Sequence, residues 1–320
     1  MTKILITNAV DEINGAGLAE IKKQMNITIP DHRLSREEVL GMLPDYDAII
    51  LARQKADKEF IDAASKLKMI VTPSAGFDSI DVDYATSKGI YVANSPAAVC
   101  EPTVEITLGL IITLLRKIIP YDRLVRTGEW VNRRDYGQMG TGLMYKTLGI
   151  YGMGRIGQSI ARKAKMFGMK IIYHNRREIA PHIAAELDAT YVSFSELLTR
   201  SDVISINAPL LPETHHKFDY AAFCQMKSTA FLINTGRGSV VKEVDLCKAL
   251  LDKKIAGAGL DVFEFEPKVN EQLLTMENVV LTPHIGGWIA TAQVEVLQEA
   301  ANTIMKYFLQ NELVNIVNPK

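Results

Sequence analysis

Short apolar runs alternate with helical patterns along most of the chain. KILIT (3–7), YDAIIL (46–51), MIVTPSAG (69–76) and IYVANSP (90–96) have strand length, and the last two close on Gly, Pro or Ser punctuation. Between the first two lies the charged helical pattern REEVLGML, with Ser35 placed as its N-cap. This alternation predicts βαβ units and a parallel sheet over the first ~98 residues. EPTVEITLGLIITLLRK (101–117) then reads as one long buried helix, with Pro102 in its first turn and basic residues in its last. After the polar stretch RTGEWVNRRDYGQMGTG, six runs follow from Lys146: TLGIYG, KIIYH, VISINAP, AFLINTG, GAGLDVF and NVVLTP. Such a series predicts a six-stranded doubly wound sheet. A last helical pattern, TAQVEVLQEAANTIMKYFLQ, follows His284.

The first turn of that second series reads GMGRIG, with Gly152, Gly154 and Gly157 in the spacing G-x-G-x-x-G between a strand and a helix pattern. The first glycine permits a tight turn, the second lets a pyrophosphate approach the backbone, and the third lets helix and strand pack closely. The helix N-terminus then offers N–H groups and partial positive charge to the phosphates. Where an NAD site places an acid for the ribose 2′-OH, this chain has Asn175, followed by Arg176 and Arg177. A carboxylate there repels a 2′-phosphate. Asn removes that repulsion, and two guanidinium groups suit phosphate. The expectation is NADP(H) as preferred cofactor, with NAD(H) also possible because Asn serves either.

Three later strands end in reactive side chains. Arg237 follows AFLIN, Asp261 and Glu266 follow GAGL, and His284 follows NVVL. Ligands of open α/β sheets sit beyond such strand ends. Arginine holds the carboxylate and carbonyl of a 2-keto acid through parallel donors. An imidazolium protonates the oxygen that becomes negative on hydride attack, and a nearby carboxylate favours that charged form. Reduction is therefore expected to be favoured at lower pH and oxidation of the hydroxy acid at higher pH.

Composition narrows the remaining classes. The 320 residues suffice for about two domains, and a formal net charge of -1 argues against nucleic acid as a main partner. The start, MTKILITNAV, lacks signal-peptide character, and the longest greasy stretch, ITLGLIITLL, is too short for a bilayer. Cys100, Cys224 and Cys247 form no CxxC and suggest a reducing, cytoplasmic setting. His215 and His216 have no third ligand at metal-binding spacing, and the expectation is no metal. His174, at the end of the cofactor strand, is expected near the adenine ribose.

SAGFDSIDV, NSPAAVCEPTVEIT, KTLGIYGMGRIG, APLLPETHH, MKSTAFLINTGRGSVV, GLDVFEFEP and NVVLTPHIGG together resemble the D-isomer-specific 2-hydroxyacid dehydrogenases over essentially the whole chain. The Asn175-Arg176-Arg177 run looks most like the glyoxylate/hydroxypyruvate reductase branch. The resemblance implies two Rossmann-like α/β domains. A doubly wound nucleotide domain (100–287) is inserted in a smaller flavodoxin-like substrate domain (1–99 plus 288–320). It implies catalytic Arg237, Glu266 and His284. The implied cofactor contacts are Thr103, Gly152, Gly154, Arg155, Ile156, Gly157, Asn175, Arg176, Arg177, Pro209, Thr214, Thr235, Gly236, Asp261 and Gly286, with Asp261 on the nicotinamide carboxamide. Ala75 and Gly76 would hold the substrate carboxylate by backbone N–H groups. Arg53 is expected to face the substrate, and Trp288 to wall its pocket. A homodimer joined through the nucleotide domains is implied, with the stretch around 120–145 in its contact region.

Three functions follow from these residues. The first is reduction of a small 2-keto acid such as glyoxylate or hydroxypyruvate to the D-2-hydroxy acid. The second is an NADH-linked D-lactate or other D-2-hydroxyacid dehydrogenase. The third is a corepressor-like protein that senses dinucleotide and interacts with partners.

Overall fold

The computed structural model describes residues 2–130 and 139–318 and divides into two compact units. The first comprises residues 1–100 and 287–320, the second residues 101–286.

The first unit is built on a parallel five-stranded sheet. Its strands are β1 (Lys3–Ile6), β2 (Asn26–Thr28), β3 (Ala48–Ile50), β4 (Met69–Val71) and β5 (Tyr91–Ala93), in the order β2-β1-β3-β4-β5. Side chains alternate across such a sheet, so each face needs its own cover. Ile4 and Ile6 face one way and pack with Val296, Leu297, Ala300 and Ile304 of the long helix Ala290–Gln310. Leu5, Ile49 and Ile70 face the other way, onto Val39, Phe60 and Ala85. The helix Arg36–Met42 starts at Ser35 in a reciprocal capping box with Glu38, which satisfies two backbone N–H groups.

The second unit carries seven parallel strands, one more than the six read from the sequence. They are β6 (Thr147–Tyr151), β7 (Lys170–His174), β8 (Ala189–Tyr191), β9 (Val203–Ile206), β10 (Phe231–Asn234), β11 (Gly257–Leu260) and β12 (Val279–Leu281). Their order is β12-β11-β10-β9-β6-β7-β8. The added strand, β8, lies at the sheet edge and is only half-buried, so its ATY sequence shows no apolar run. The same holds for β2 in the first unit. The order reverses between β6 and β9, which opens a crevice beyond their carboxyl ends, the usual ligand position in such sheets.

The helix Cys100–Leu115 covers one face of this sheet, with Val104, Leu108, Ile111 and Leu114 against Leu148, Ile150 and Ile233. The polar stretch around 120–145 opens with the helix Ile118–Arg126, and its residues 131–138 lie outside those described. No described helix is long and apolar enough to cross a membrane, and no disulfide joins the three cysteines.

Candidate active site

The turn after β6 requires glycine at two of its three glycine positions. Gly152 has φ +99°, and a Cβ there would meet Ala208 N at 2.5 Å. A Cβ on Gly157 would meet Gly152 O at 2.4 Å, so the helix Arg155–Met166 packs directly on the turn. Gly154 differs, because a Cβ there meets nothing within 4 Å. It is the N-cap of that helix, and no side chain caps this end. An open space bounded by uncapped helical N–H groups fits a pyrophosphate. The residues present therefore fit a dinucleotide.

Asn175 was read from the sequence as a ribose or phosphate contact. Its Oδ1 accepts the Met153 N–H at 2.7 Å, so its carbonyl holds the glycine turn in shape. Arg176 Nη1 lies 2.9 Å from Glu213 Oε1, in an ion pair with both side chains substantially exposed. Arg177 makes no ion pair among the described residues. His174, expected near the adenine ribose, closes β7. Its ring stacks on Tyr151 and Tyr191, and its Nδ1 bonds Val192 O at 2.9 Å.

The next segment is a turn tied by Thr214. This buried hydroxyl accepts the Leu211 N–H (2.8 Å) and donates to Pro209 O (2.7 Å). His216 is half-buried and lies 2.5 Å from Glu264 Oε1. No group of three metal-ligating side chains occurs among the described residues.

The ends of β10, β11 and β12 bring the reactive groups together. Thr235 Oγ1 lies 2.8 Å from Thr107 Oγ1 in the helix Cys100–Leu115. That contact ties the helix to the strand end at Thr235, and within the helix Thr107 donates to Thr103 O. Arg237 is half-buried, and its Nη1 donates to Gly236 O at 2.9 Å. Glu266 Oε1 accepts the Phe263 N–H at 3.0 Å, and its Oε2 accepts His284 Nδ1 at 2.7 Å. Burial pushes the Glu266 carboxyl pKa up. The hydrogen bonds from His284 and Phe263, with the charges of His284 and Arg237, outweigh that and hold it below the ordinary value.

His284 itself sits at φ +54°, a left-handed conformation that costs a residue with a Cβ about 1–3 kcal/mol. Asp261 holds it there. This carboxylate is 1% exposed and accepts Thr282 Oγ1 (2.6 Å) and Ile285 N–H (2.8 Å) on Oδ1, and Gly286 N–H (2.8 Å) on Oδ2. A Cβ on Gly286 would lie 3.1 Å from Asp261 Oδ2 and 3.3 Å from Thr103 Oγ1, so these three residues are neighbours. Asp261 Oδ2 keeps a lone pair beyond the Gly286 bond.

Arg53, Ala75, Gly76 and Trp288 belong to the first unit. Arg53 is exposed and left-handed (φ +54°), with its carbonyl bonded by Arg33. The carbonyls of Ala75 and Gly76 are tied by Asn94 and by Thr72 and Ser74, which fixes that loop. Trp288 is 63% exposed. Glu213 and the Asp261 clamp were not singled out in the sequence. Glu213 had a faint signal, as the only acid in APLLPETHH, the loop that follows the strand beside β6.

A cradle of this kind holds a dinucleotide, and the groups at the neighbouring strand ends suit proton and carboxylate handling during redox chemistry. The protein is a nicotinamide-dinucleotide oxidoreductase. Residues 108–286 match the family described as "D-isomer specific 2-hydroxyacid dehydrogenase, NAD binding domain". A glyoxylate reductase of Thermococcus litoralis is 40% identical over 99% of this chain and 96% of its own. The crystal structure of a glyoxylate reductase from Paecilomyes thermophila has a TM-score of 0.91 at 33% identity, covering 99% of this chain and 98% of that one. An NADPH-dependent glyoxylate/hydroxypyruvate reductase from Sinorhizobium meliloti, solved with NADP and malonate, has a TM-score of 0.85 at 28% identity over 99% and 96%. The chain belongs to the D-isomer specific 2-hydroxyacid dehydrogenase family and has 2-hydroxyacid dehydrogenase activity.

Proposed function

We propose that the protein reduces a small 2-keto acid, glyoxylate, hydroxypyruvate or a short relative, to the D-2-hydroxy acid, with NADPH preferred over NADH. The observation that carries this reading is the 2.7 Å His284–Glu266 pair with the charge of Arg237 beside it. When bound, the nicotinamide cofactor supplies the hydride. Arg237 orients the substrate through its carboxylate and carbonyl oxygen. Glu266 holds the Nδ1 proton of His284, leaving Nε2 to deliver a proton to the oxygen that becomes hydroxyl.

Gly152, Gly154, Arg155, Ile156 and Gly157 cradle the phosphates in this account. Thr103, Pro209, Thr214, Thr235, Gly236, Asp261 and Gly286 serve the remainder of the dinucleotide, Asp261 with the lone pair left on Oδ2. Arg176 and Arg177 take the 2′-phosphate, with Asn175 shaping the turn beneath. Arg53 faces the substrate by its place after a strand, and Ala75, Gly76 and Trp288 by the resemblance. The names of the Thermococcus, Paecilomyes and Sinorhizobium relatives support the substrate class, and the last supports NADPH.

The test offers the purified protein NADPH or NADH with glyoxylate, hydroxypyruvate, pyruvate and a bulky 2-keto acid, and follows cofactor oxidation. Turnover of the small acids with NADPH is expected, and turnover of none would contradict the proposal. In the same assay Arg176→Ala is expected to raise KM for NADPH about tenfold and to leave NADH within about twofold, since only NADPH carries the charged group. Equal losses for both cofactors would remove Arg176 from the site.

The second unit also exposes Ile118, Ile119, Trp130, Met139, Met166 and Phe167. These exposed apolar side chains support a homodimer joined through these units. Sedimentation is expected at twice the mass of the chain, and a monomer at micromolar concentration would contradict it.

A further inference from the structure

We propose that Glu213 is a specificity-determining residue, which moderates the preference for the phosphorylated cofactor by competing with the 2′-phosphate for Arg176. This rests on the reading of Arg176 as the 2′-phosphate contact. Arg176 stands two residues beyond β7, where the sheet order places the adenosine ribose. Its guanidinium is not waiting for a ligand, because Nη1 is 2.9 Å from Glu213 Oε1.

Glu213 reaches this position from the loop after β9, the strand on the other side of β6. The loop is fixed by the buried Thr214 hydroxyl, so the carboxylate is presented from an ordered backbone. Its field extends beyond Arg176. Burial pushes the Tyr151 hydroxyl pKa up, and the negative charge of Glu213 adds to that.

A 2′-phosphate carries about −1.5 to −2 charge near neutral pH and three acceptor oxygens. It displaces an exposed, weak ion pair and takes the guanidinium in bidentate fashion. The displaced carboxylate then remains nearby as a like charge. A 2′-OH meets neither cost, since a carboxylate accepts its hydrogen. Glu213 thus penalises NADP(H) and not NAD(H), opposing the selectivity of Arg176 and holding the site open to both.

Calorimetric dissociation constants for adenosine 2′,5′-bisphosphate and 5′-AMP test this without turnover. Glu213→Gln is expected to bind the bisphosphate about 3–10-fold tighter and to change 5′-AMP less than about 2-fold. In Arg176→Ala/Glu213→Gln the gain should disappear, because the competition needs the guanidinium. If Arg176→Ala loses bisphosphate selectively while Glu213→Gln gains nothing or binds it more weakly, Glu213 positions Arg176 and this inference alone falls. If Arg176→Ala binds bisphosphate as the unaltered protein does, the phosphate reading falls and this inference with it.

Discussion

His284→Ala is expected to lower kcat for keto-acid reduction by about 10²–10⁴-fold, the usual contribution of a positioned acid-base group. The dissociation constant for NADPH should stay within about threefold. His284 follows β12, whereas the phosphate cradle follows β6, and a loss made only at the reacting carbon appears in kcat. Near-normal turnover would remove His284 from the chemistry. The pH profile carries the same assignment. Glu266 is held below the ordinary carboxyl value, so its support for the imidazolium is complete above that value and is lost only as pH falls through the depressed one. The acid limb of reduction should therefore lie below the ordinary carboxyl range. Reduction takes up a proton and oxidation of the hydroxy acid releases one, so lower pH should favour the first and higher pH the second.

Asp261→Ala is expected to have the largest effect on stability. It removes the acceptor of three hydrogen bonds and leaves the N–H groups of Ile285 and Gly286 without a partner in a buried site. Such a change costs on the order of 3 kcal/mol, or roughly 6–12 °C in Tm for a unit of this size. The left-handed turn at His284 depends on those bonds, so kcat should fall with Tm, and the amides of Ile285 and Gly286 should exchange faster with solvent. Asp261→Asn, which keeps the shape but turns donors against donors, should fall between. Unchanged Tm and exchange would show that the turn is held by other contacts.

Both cases show where sequence stops being informative. The glycine turn was legible because G-x-G-x-x-G restricts backbone shape directly, and the clashes a Cβ would make at Gly152 and Gly157 are the physical form of that motif. The long helices and central strands were legible from apolar runs. The edge strands β2 and β8 were not, since a half-exposed three-residue strand carries no such run. Side-chain commitments were the least legible. The bond of Asn175 to Met153 depends on a turn folding back over 22 residues. The Arg176–Glu213 pair joins segments 37 residues apart through sheet order, which no local pattern encodes. The left-handed His284 has no signature of its own, because the bonds that hold it come from Asp261, just after the neighbouring strand.

The most direct test of the central claim is a crystal structure with NADPH and oxamate, an unreactive keto-acid analogue. The account predicts one oxamate oxygen within about 2.6–3.2 Å of His284 Nε2, with the Arg237 guanidinium on the same molecule. Oxamate bound out of reach of both side chains would contradict it.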